Sequence, residues 1–158
     1  MYMGRYSYNK ALEILTNFAI GEGYVDITFD HNGISFIDWD KDSLNTPKRI
    51  KIEGKYSKEF QVYLLLHELG HHQLRKNWGK FSKLLPVAAY AEHIDLVEKD
   101  NKYKRRVTYI VSSMEEEFKA WEEGFKLGDK LGIKINSIKW NNFKAKCLIS
   151  YIRYFAKK

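Results

Sequence analysis

The sequence predicts an α+β fold built around a small sheet. One helical segment comes first, three short β-rich segments follow, and helical segments fill the rest of the chain. The composition fits a packed fold, because 44% of the residues are hydrophobic and only 2 are proline. The length of 158 residues, without an internal repeat or a Gly/Ser linker, fits one domain over residues 1–158.

The first part of the predicted fold is a helix followed by a hairpin. Apolar residues recur at helical spacing over residues 6–20, and two glycines follow within three positions. Residues 24–29 and 34–39 are rich in β-branched and aromatic side chains. The Asn32-Gly33 pair between them is typical of a type I′ turn, whose two central residues need positive φ. We therefore expect these two strands to pair with each other.

A third strand and four helices complete the prediction. Residues 49–53 alternate apolar and charged side chains, as a half-buried strand does. Ser57 is a suitable N-cap for the helix that follows this strand. The four helices are predicted at residues 57–76, 87–98, 107–131 and 137–156.

The net charge of +7 comes from one end of the chain. Residues 1–129 carry a net charge of −1, whereas residues 130–158 contain 8 basic and no acidic residues. The predicted C-terminal helix is amphipathic, with an apolar stripe that packs on the core and a basic outer surface. The basic residues on its outer faces are Lys139, Lys146, Arg153 and Lys157. This surface is either simply solvated, which its packing role favours, or it contacts nucleic acid or an acidic partner.

Composition also restricts the type of site and the compartment. Cys147 is the single cysteine, which excludes a disulfide framework and a multi-thiolate zinc site. Metal ligands would therefore be histidines and carboxylates. No apolar run approaches the roughly 20 residues of a membrane span, and the N-terminus lacks the apolar core of a signal peptide. We expect a cytoplasmic protein without a membrane span.

Residues 67–71 read His-Glu-Leu-Gly-His, an HExxH motif inside a predicted helix. On a helix, His67 and His71 project from one face on successive turns, so both imidazoles can bind the same metal ion. Glu68 points about 100° away from His67 and can act as a general base beside the ion. Gly70 costs about 1 kcal/mol of helix propensity, which predicts that another element approaches the helix closely here.

Two other histidines are not expected to bind the metal ion. His72 points away from the face that His67 and His71 share, which predicts a surface position or a supporting contact. His31 lies in the predicted hairpin turn, where we expect it to be solvated.

A catalytic zinc ion needs a third protein ligand and leaves one position for water. A metzincin would carry Gly and His three and six residues after His71, but this chain has Leu74 and Asn77 there. Cys147 belongs to the apolar stripe of the last predicted helix, which disfavours a thiolate ligand. The remaining candidates are a carboxylate downstream of the motif and His93.

Helical phase favours Glu117 among three adjacent acidic residues. At about 100° per residue, Glu117 lies about 60° from the centre of the predicted apolar face, Glu115 about 100° and Glu116 about 160°. This predicts a buried edge for Glu117 and a solvated face for Glu115 and Glu116. Gly124 and Gly128 share the edge of Glu117 and would allow close packing against the HExxH helix. The residues that define this apolar face are Ile110, Met114, Phe118, Trp121 and Phe125.

These two blocks resemble a known family. The HExxH motif, followed 46 residues after His71 by Glu117-x-x-Ala120-Trp121-x-x-Gly124, is similar to the motifs of small gluzincin-type zinc metallopeptidases. Compact metallopeptidases of phages and bacteria, repressor-cleaving zincins and SprT-like zincins are the groups that it resembles most. The resemblance spans residues 24–128 and omits the C-terminal helix. It implies a zincin-like fold, one zinc ion per chain, Glu117 as third ligand and a peptide or protein substrate.

The predicted reaction is metal-assisted peptide hydrolysis, in which Glu68 takes a proton from water and delivers it to the leaving amine. The developing oxyanion needs a further donor, and the sequence does not choose among the available side chains. The candidates are Tyr90, His93, Tyr103 and Tyr109. An extended substrate is expected to pair with the strand of Ile50 and Ile52, as the edge of the sheet.

The alternative function is a catalytically inactive zincin-like adaptor, or a nucleic-acid-binding protein that uses the basic C-terminal helix. Zinc would then be structural and closed by four protein ligands. The sequence offers three good ligands, His67, His71 and Glu117, which favours the enzyme. Basic charge on one helix, without a matching recognition motif, is a weaker indication.

Overall fold

The computed structural model describes residues 7–31, 35–39, 47–97 and 106–157, with the backbone alone for residues 93–97. The elements in these ranges are α1 (Tyr8–Gly21), β1 (Asp26–Asp30), β2 (Phe36–Trp39), β3 (Pro47–Glu53), α2 (Lys58–Arg75), α3 (Trp78–Leu84), α4 (Pro86–Val97), α5 (Val107–Lys130) and α6 (Ser137–Phe155). Helices dominate around a small mixed sheet, so the predicted α+β class is confirmed. Among the described helices, none has both the length and the apolar character that crossing a bilayer requires.

The sheet has the strand order β1-β3-β2, with β3 in the centre. β1 runs parallel to β3 and β2 runs antiparallel to it, so that Ile50 lies between Ile27 and Ile37 of the two neighbours. The predicted hairpin of the first two strands is therefore wrong. Ile50 and Ile52 are completely buried, so water does not reach the backbone of β3 beside them. A central position in the sheet gives this backbone hydrogen-bond partners on both sides.

The edges of the sheet also differ from the prediction. The sequence predicts an edge strand at Ile50 and Ile52, which is wrong because β3 has a partner on each side. Among the described residues, β2 pairs only with β3, so its other side is an edge of the sheet. The Asn32-Gly33 pair between β1 and β2 lies outside the described residues.

The helix α3 is not predicted by the sequence. The Asn77 side chain caps it, because Oδ1 accepts a hydrogen bond from the backbone N–H of Lys80 at 3.1 Å. One side chain of α3 is fully buried, in a small cluster separate from the main core. The buried members of this cluster are Phe81, Leu85, Ala88 and Ala89. Two helical turns with a single buried side chain give a weak periodic signal, which explains the omission.

The helices α2 and α5 form the most extensive contact between elements. Gly70 of α2 rests against the backbone of Ala120, and Gly124 of α5 rests against the backbone of Leu66. A Cβ atom at either glycine would collide with the facing carbonyl group. The close approach predicted at Gly70 is therefore confirmed, and Gly124 has the packing role that the sequence assigns to it.

The predicted apolar face of α5 is confirmed only in part: Trp121 is completely buried, and Met114 and Phe125 pack against the main core. Phe118 is 47% exposed, and Ile110 and Met114 are only partly buried. The face that meets α2 carries small residues and one carboxylate at four-residue spacing. Its buried residues are Ser112, Glu116, Ala120, Gly124 and Gly128. Two helix backbones can approach this closely only through small side chains, so the small residues of α5 face α2 and Phe118 lies on an exposed side of the helix.

The first half of α6 packs on the core, as its apolar stripe predicts. The buried residues of this helix are Trp140, Phe143 and Leu148. The Lys139 Nζ atom lies 2.7 Å from a carboxylate oxygen of Glu59, which ties the start of α6 to the start of α2. Toward the end of α6, the side chains of Ile152 and Tyr154 are more than half exposed.

Candidate metal centre

Three predicted ligands meet between α2 and α5. His67 and His71 lie on successive turns of α2, and Glu117 faces them from α5. The Nε2 atom of His67 lies 3.1 Å from Glu117 Oε2, and that of His71 lies 3.5 Å from Glu117 Oε1. Ligand atoms of a tetrahedral zinc ion with bonds of about 2.1 Å are about 3.4 Å apart. The two distances are close to this value, and one ligand atom from each residue lies within 4.8 Å of the other two. This group could hold a metal ion, whereas Glu115 is exposed.

The close helix contact positions the three side chains. Gly70 precedes His71 directly, and the backbone that it touches belongs to Ala120, three residues after Glu117. Because no side chain separates the helices at this level, the Glu117 carboxylate reaches both imidazoles. The packing of α2 on α5 and the geometry of the site therefore have the same origin.

Glu116 is buried, so the predicted solvated position is wrong. Its Oε1 atom lies 3.1 Å from His71 Nδ1 and accepts a hydrogen bond from Arg75 Nε at 2.7 Å. Arg75 Nη2 donates to the other carboxylate oxygen at 2.9 Å. A carboxylate beside Nδ1 favours the tautomer with the proton on that atom, which leaves His71 Nε2 to face Glu117. Glu116 therefore orients a candidate ligand.

Arg75 keeps Glu116 ionised. Its guanidinium lies 4.7 Å from the ring centroid of Trp39 and 5.0 Å from that of Phe81, and Nη2 lies 3.4 Å from Glu92. Burial opposes ionisation of Glu116, but the Arg75 charge outweighs it, and the pKa of this carboxyl falls to about 2. The sequence contains a signal for this pair, since Arg75 follows His71 by four residues on the same helix face.

The His67 ring stacks on an aromatic side chain, and among the described residues its Nδ1 atom has no carboxylate partner of the kind that His71 has. Its ring lies 4.4 Å from the Trp121 ring, centroid to centroid, at an interplanar angle of 20°. Its Nδ1 atom is buried and has no hydrogen-bond partner among the described residues. Trp121 contacts Trp140 edge-on at 5.0 Å, which connects this ligand to the aromatic core under α6.

The electrostatics of the group favour a cation between the imidazoles. Burial lowers the pKa of His67 and keeps this imidazole neutral. Burial also opposes the charge on His71, but the carboxylates of Glu117 and Glu116 raise its pKa to about 10. The Glu117 carboxyl is itself buried, yet the charge on His71 brings its pKa well below the usual range. The carboxylates thus attract positive charge, which a proton or a metal ion can supply.

Glu68 is 5% exposed and lies beside this group. Burial raises its pKa to about 8; the charge on His71 opposes this shift and the charge on Glu117 adds to it. A carboxyl with a pKa in this range can accept and release a proton near neutral pH. Glu68 therefore lies where it could exchange a proton with a group bound beside His71 and Glu117.

Two cavities flank Glu68. The larger has a volume of about 470 Å³ and reaches His67, and the smaller has a volume of about 340 Å³ and reaches His71 and Glu117. Four residues line both cavities, which places them along a continuous cleft. These residues are Ser35, Glu68, Tyr151 and Phe155.

The predicted oxyanion donors have different positions. Tyr109 lines the smaller cavity, whereas Tyr90 is 53% exposed and lines neither cavity. Tyr103 lies outside the described residues, and the His93 side chain is also outside them.

Tyr151 is a candidate that the sequence analysis misses. It lines both cavities, and burial together with the charges on Glu117 and Glu68 raises its pKa, so its hydroxyl stays protonated. The one sequence feature that could have identified Tyr151 is its polar hydroxyl within the otherwise apolar stripe of α6.

Three other residues complete the comparison with the sequence. His72 does not face the metal group, but it is buried, and the predicted surface position is wrong. Its Nε2 atom lies 2.6 Å from Glu22, and its Nδ1 atom lies 3.1 Å from the Tyr24 hydroxyl. His31 is exposed, as predicted. Cys147 is not in the metal group, and burial raises the pKa of its thiol to about 11.

Comparison with known proteins gives no match. No family model matches the chain, and neither a curated protein nor a solved structure is significantly similar to it.

Proposed function

We propose that this protein is a zinc-dependent metallopeptidase with a zincin-like fold. The observation that carries this proposal is the convergence of His67, His71 and Glu117, whose ligand atoms lie within 4.8 Å of one another. Glu68 lies beside them, where two cavities meet. Two imidazoles and one carboxylate suit one zinc ion per chain.

The number of ligands supports catalysis. Zinc, when bound, would supply Lewis-acid activation of a water molecule and of the scissile carbonyl. Structural zinc sites are closed by four protein ligands, whereas catalytic sites keep a position open. Within the part of the chain that the structure describes, the group has three members, His67, His71 and Glu117. This donor set favours hydrolysis over a structural metal.

Two side chains would handle protons and charge. Glu68 takes a proton from the attacking water and later delivers it to the leaving amine. Tyr151 lines both cavities with its hydroxyl protonated and is the proposed donor to the oxyanion, with Tyr109 as a second candidate from the smaller cavity. Burial and the nearby carboxylates raise the pKa of Tyr151, which keeps its hydroxyl a donor at neutral pH.

The substrate is proposed to be an extended peptide or a flexible protein segment. Phe36, Ile37 and Trp39 of β2 line the smaller cavity, beside His71 and Glu117. β2 is an edge of the sheet, so it can pair with one more extended strand. Substrate pairing along β2 would place a peptide bond over the metal group. This role replaces the one that the sequence predicts for Ile50 and Ile52.

The inactive adaptor or nucleic-acid-binding protein is the second candidate function. Lys146, Arg153 and Lys157 are exposed on α6, which supports contact with an acidic partner. Lys139 is already paired with Glu59, which reduces this surface. The two functions are compatible, and a cytoplasmic location suits both because a single thiol needs no oxidising compartment.

Metal quantitation with a peptide cleavage screen tests the proposal. Wild type is expected to retain about one zinc ion per chain, and His67→Ala and Glu117→Ala to lose it. Glu115→Ala removes an exposed neighbour of Glu117 and is the matched control, expected to keep the ion. A proteome-derived peptide library should be cleaved by wild type, with cleavage stopped by a chelator and restored by zinc. Full zinc retention by Glu117→Ala would contradict the ligand assignment.

A further inference from the structure

We propose that the outward face of α6 binds an acidic amphipathic helix of a partner protein, in the manner of one half of a coiled coil. This inference rests on the second candidate function, contact of α6 with an acidic partner, and it holds with or without hydrolysis. It concerns a row of exposed residues that do not line the cleft, which we call the outer seam. These residues are Ile138, Asn142, Ala145, Ile149, Ile152 and Ala156.

The outer seam has the spacing of a coiled-coil interface. Its members follow one another at alternating intervals of four and three residues, so they occupy the d and a positions of a seven-residue repeat labelled a to g. Ile138 is 75% exposed, Ile149 46% and Ile152 54%. At about 100° per residue, the centre of the outer seam lies about 160° around the helix from Trp140, which is buried. The repeat therefore faces away from the core.

The residues that flank the outer seam on one side are all basic. Lys139, Lys146 and Arg153 each follow a d position directly, which places them at three successive e positions. Side chains at e positions meet the flanking residues of the opposite helix, so this edge selects a partner with acidic residues beside its own apolar seam. Residues 130–158 contain no acidic residue that would oppose this preference. Lys139 already pairs with Glu59 at 2.7 Å, which leaves Lys146 and Arg153 as the main basis of selection.

The same charges disfavour self-association through α6. In an antiparallel pair of identical helices, e positions face e positions, which would bring the basic edges together. In a parallel pair, e positions face g positions, which are Asn141, Leu148 and Phe155 in this helix and supply no acidic group. A different helix with acidic flanks is therefore the better occupant.

The apolar part of the outer seam distinguishes a helix from other acidic partners. Contacts with phosphate need cations and polar donors but no aliphatic surface, so nucleic acid would leave Ile149 and Ile152 uncovered. Binding to a lipid surface scales with the apolar area inserted, and Asn142 interrupts this area. The two alanines, Ala145 and Ala156, allow a second helix backbone to come close.

The opposite face of α6 orders the outer seam before a partner binds. Trp140, Phe143 and Leu148 are buried in the main core and fix the helix. A preformed surface loses less conformational freedom on binding, which favours affinity. Tyr151 and Phe155 of the same helix line the cleft, so a helix bound on the outer seam lies behind the wall of the proposed active site.

Titration with designed helical peptides tests the inference. The acidic peptide spans about three heptads, with Ile and Leu at a and d and Glu at e and g. One control peptide carries Lys at e and g, and the other carries Ser at a and d. The full chain with Glu68→Gln, which prevents cleavage of the peptides, should bind the acidic peptide at least about tenfold more tightly than either control, measured by fluorescence anisotropy.

Substitutions test the charge and the apolar surface separately. Lys146→Glu combined with Arg153→Glu should move the preference to the Lys-bearing peptide, a gain of binding that loss of folding cannot produce. Lys134→Glu makes the same change at an exposed position before α6 and should leave the affinity within about twofold. Ile152→Asn should weaken binding at least about tenfold, whereas Ile20→Asn, at a similarly exposed position of α1, should not change it.

Each outcome decides between the outer seam and its alternatives. Equal affinity for the acidic peptide and its Ser-bearing version would show a purely electrostatic surface and overturn the inference. Tighter binding of duplex DNA, or of phosphatidylcholine vesicles with phosphatidylglycerol, than of the acidic peptide would overturn it as well. Selective binding of the acidic peptide supports the outer seam even if no peptide is cleaved by wild type. Absence of peptide binding contradicts the outer seam and leaves the proposed peptidase intact.

Discussion

Replacing Glu116 with glutamine should weaken both the fold and metal binding. The substitution keeps the shape of the side chain but removes the charge that pairs with Arg75. It also places an amide N–H₂ group where two donors, Arg75 and His71 Nδ1, now meet a carboxylate. The carboxylate that remains in contact with the buried guanidinium would be Glu92, at 3.4 Å.

The loss of folding stability can be calculated in two ways. Removing one partner of a buried ion pair costs about 3–5 kcal/mol. Independently, the Glu116 pKa falls from 4.5 to about 2, which corresponds to about 3 kcal/mol of stability at neutral pH. Because the folded-state pKa is the lower one, this contribution is present above pH 4.5 and is lost as the pH falls toward 2.

The assays are urea unfolding of the metal-free protein and zinc competition titration at pH 7. We expect Glu116→Gln to lower the free energy of unfolding by about 3 kcal/mol. Zinc affinity should fall about 10–100-fold, because His71 loses the carboxylate that orients it. Glu115→Gln, one residue away and exposed, is the control and should stay within about 0.5 kcal/mol of wild type. Equal effects of the two substitutions would refute the role of Glu116.

Three further predictions concern the same region. Zinc binding at pH 7 should release about one proton, because the pKa of His71 is about 10 and its imidazole must lose a proton to bind the ion. Calorimetry in buffers of different ionisation enthalpy measures the number of protons released. A zinc affinity that does not rise with pH would contradict this prediction. Gly70→Ala should lower the free energy of unfolding by about 2 kcal/mol despite its better helix propensity, since the new Cβ meets the backbone of α5. Gly79→Ala on α3 is the control: its new Cβ would make only an ordinary contact with Asn77 Oδ1 at 3.7 Å and should not destabilise the fold. Similar losses for both substitutions would exclude the packing argument. Tyr151→Phe should lower kcat about 10²–10³-fold with zinc content unchanged, whereas a larger effect of Tyr109→Phe would reassign the oxyanion donor.

The metal group could be predicted from the sequence because two of its residues, His67 and His71, lie in one short helical motif. The four-residue spacing of His67 and His71 becomes a shared face as soon as the segment is helical, whatever else the chain does. Gly70 adds information about the neighbour, since a glycine inside a helix is costly unless a backbone must come close. Helical phase then distinguishes Glu117 from Glu115 by a simple angle.

The order of the strands in the sheet could not be predicted from the sequence in the same way. The Asn32-Gly33 signal concerns a turn, and pairing of β1 with β2 follows from it only if no later strand competes. β3 does compete, because Ile50 and Ile52 require burial and partners on both sides. Such pairing depends on contacts distant in sequence, which local periodicity does not encode.

Glu116 and Tyr151 show the same limit at the level of side chains. Glu116 lies on the helix face opposite the aromatic residues, so the sequence predicts that it is solvated. The cation that pairs with it, Arg75, lies 41 residues away in the sequence, and helical phase does not reveal this contact. Tyr151 becomes a candidate site residue only because it lies near the carboxylates of Glu68 and Glu117, which are distant in sequence and lie on two other helices. In both cases the tertiary contact decides the role.

The most direct test compares wild type with Glu68→Gln, both loaded with zinc. The substitution leaves His67, His71 and Glu117 in place, so both proteins should contain about one zinc ion per chain. We expect kcat for a cleaved peptide to fall at least about 10²-fold in Glu68→Gln, since the proton acceptor is lost. Equal zinc content with unchanged hydrolysis would contradict the account of this site as a metallopeptidase centre with Glu68 as its base.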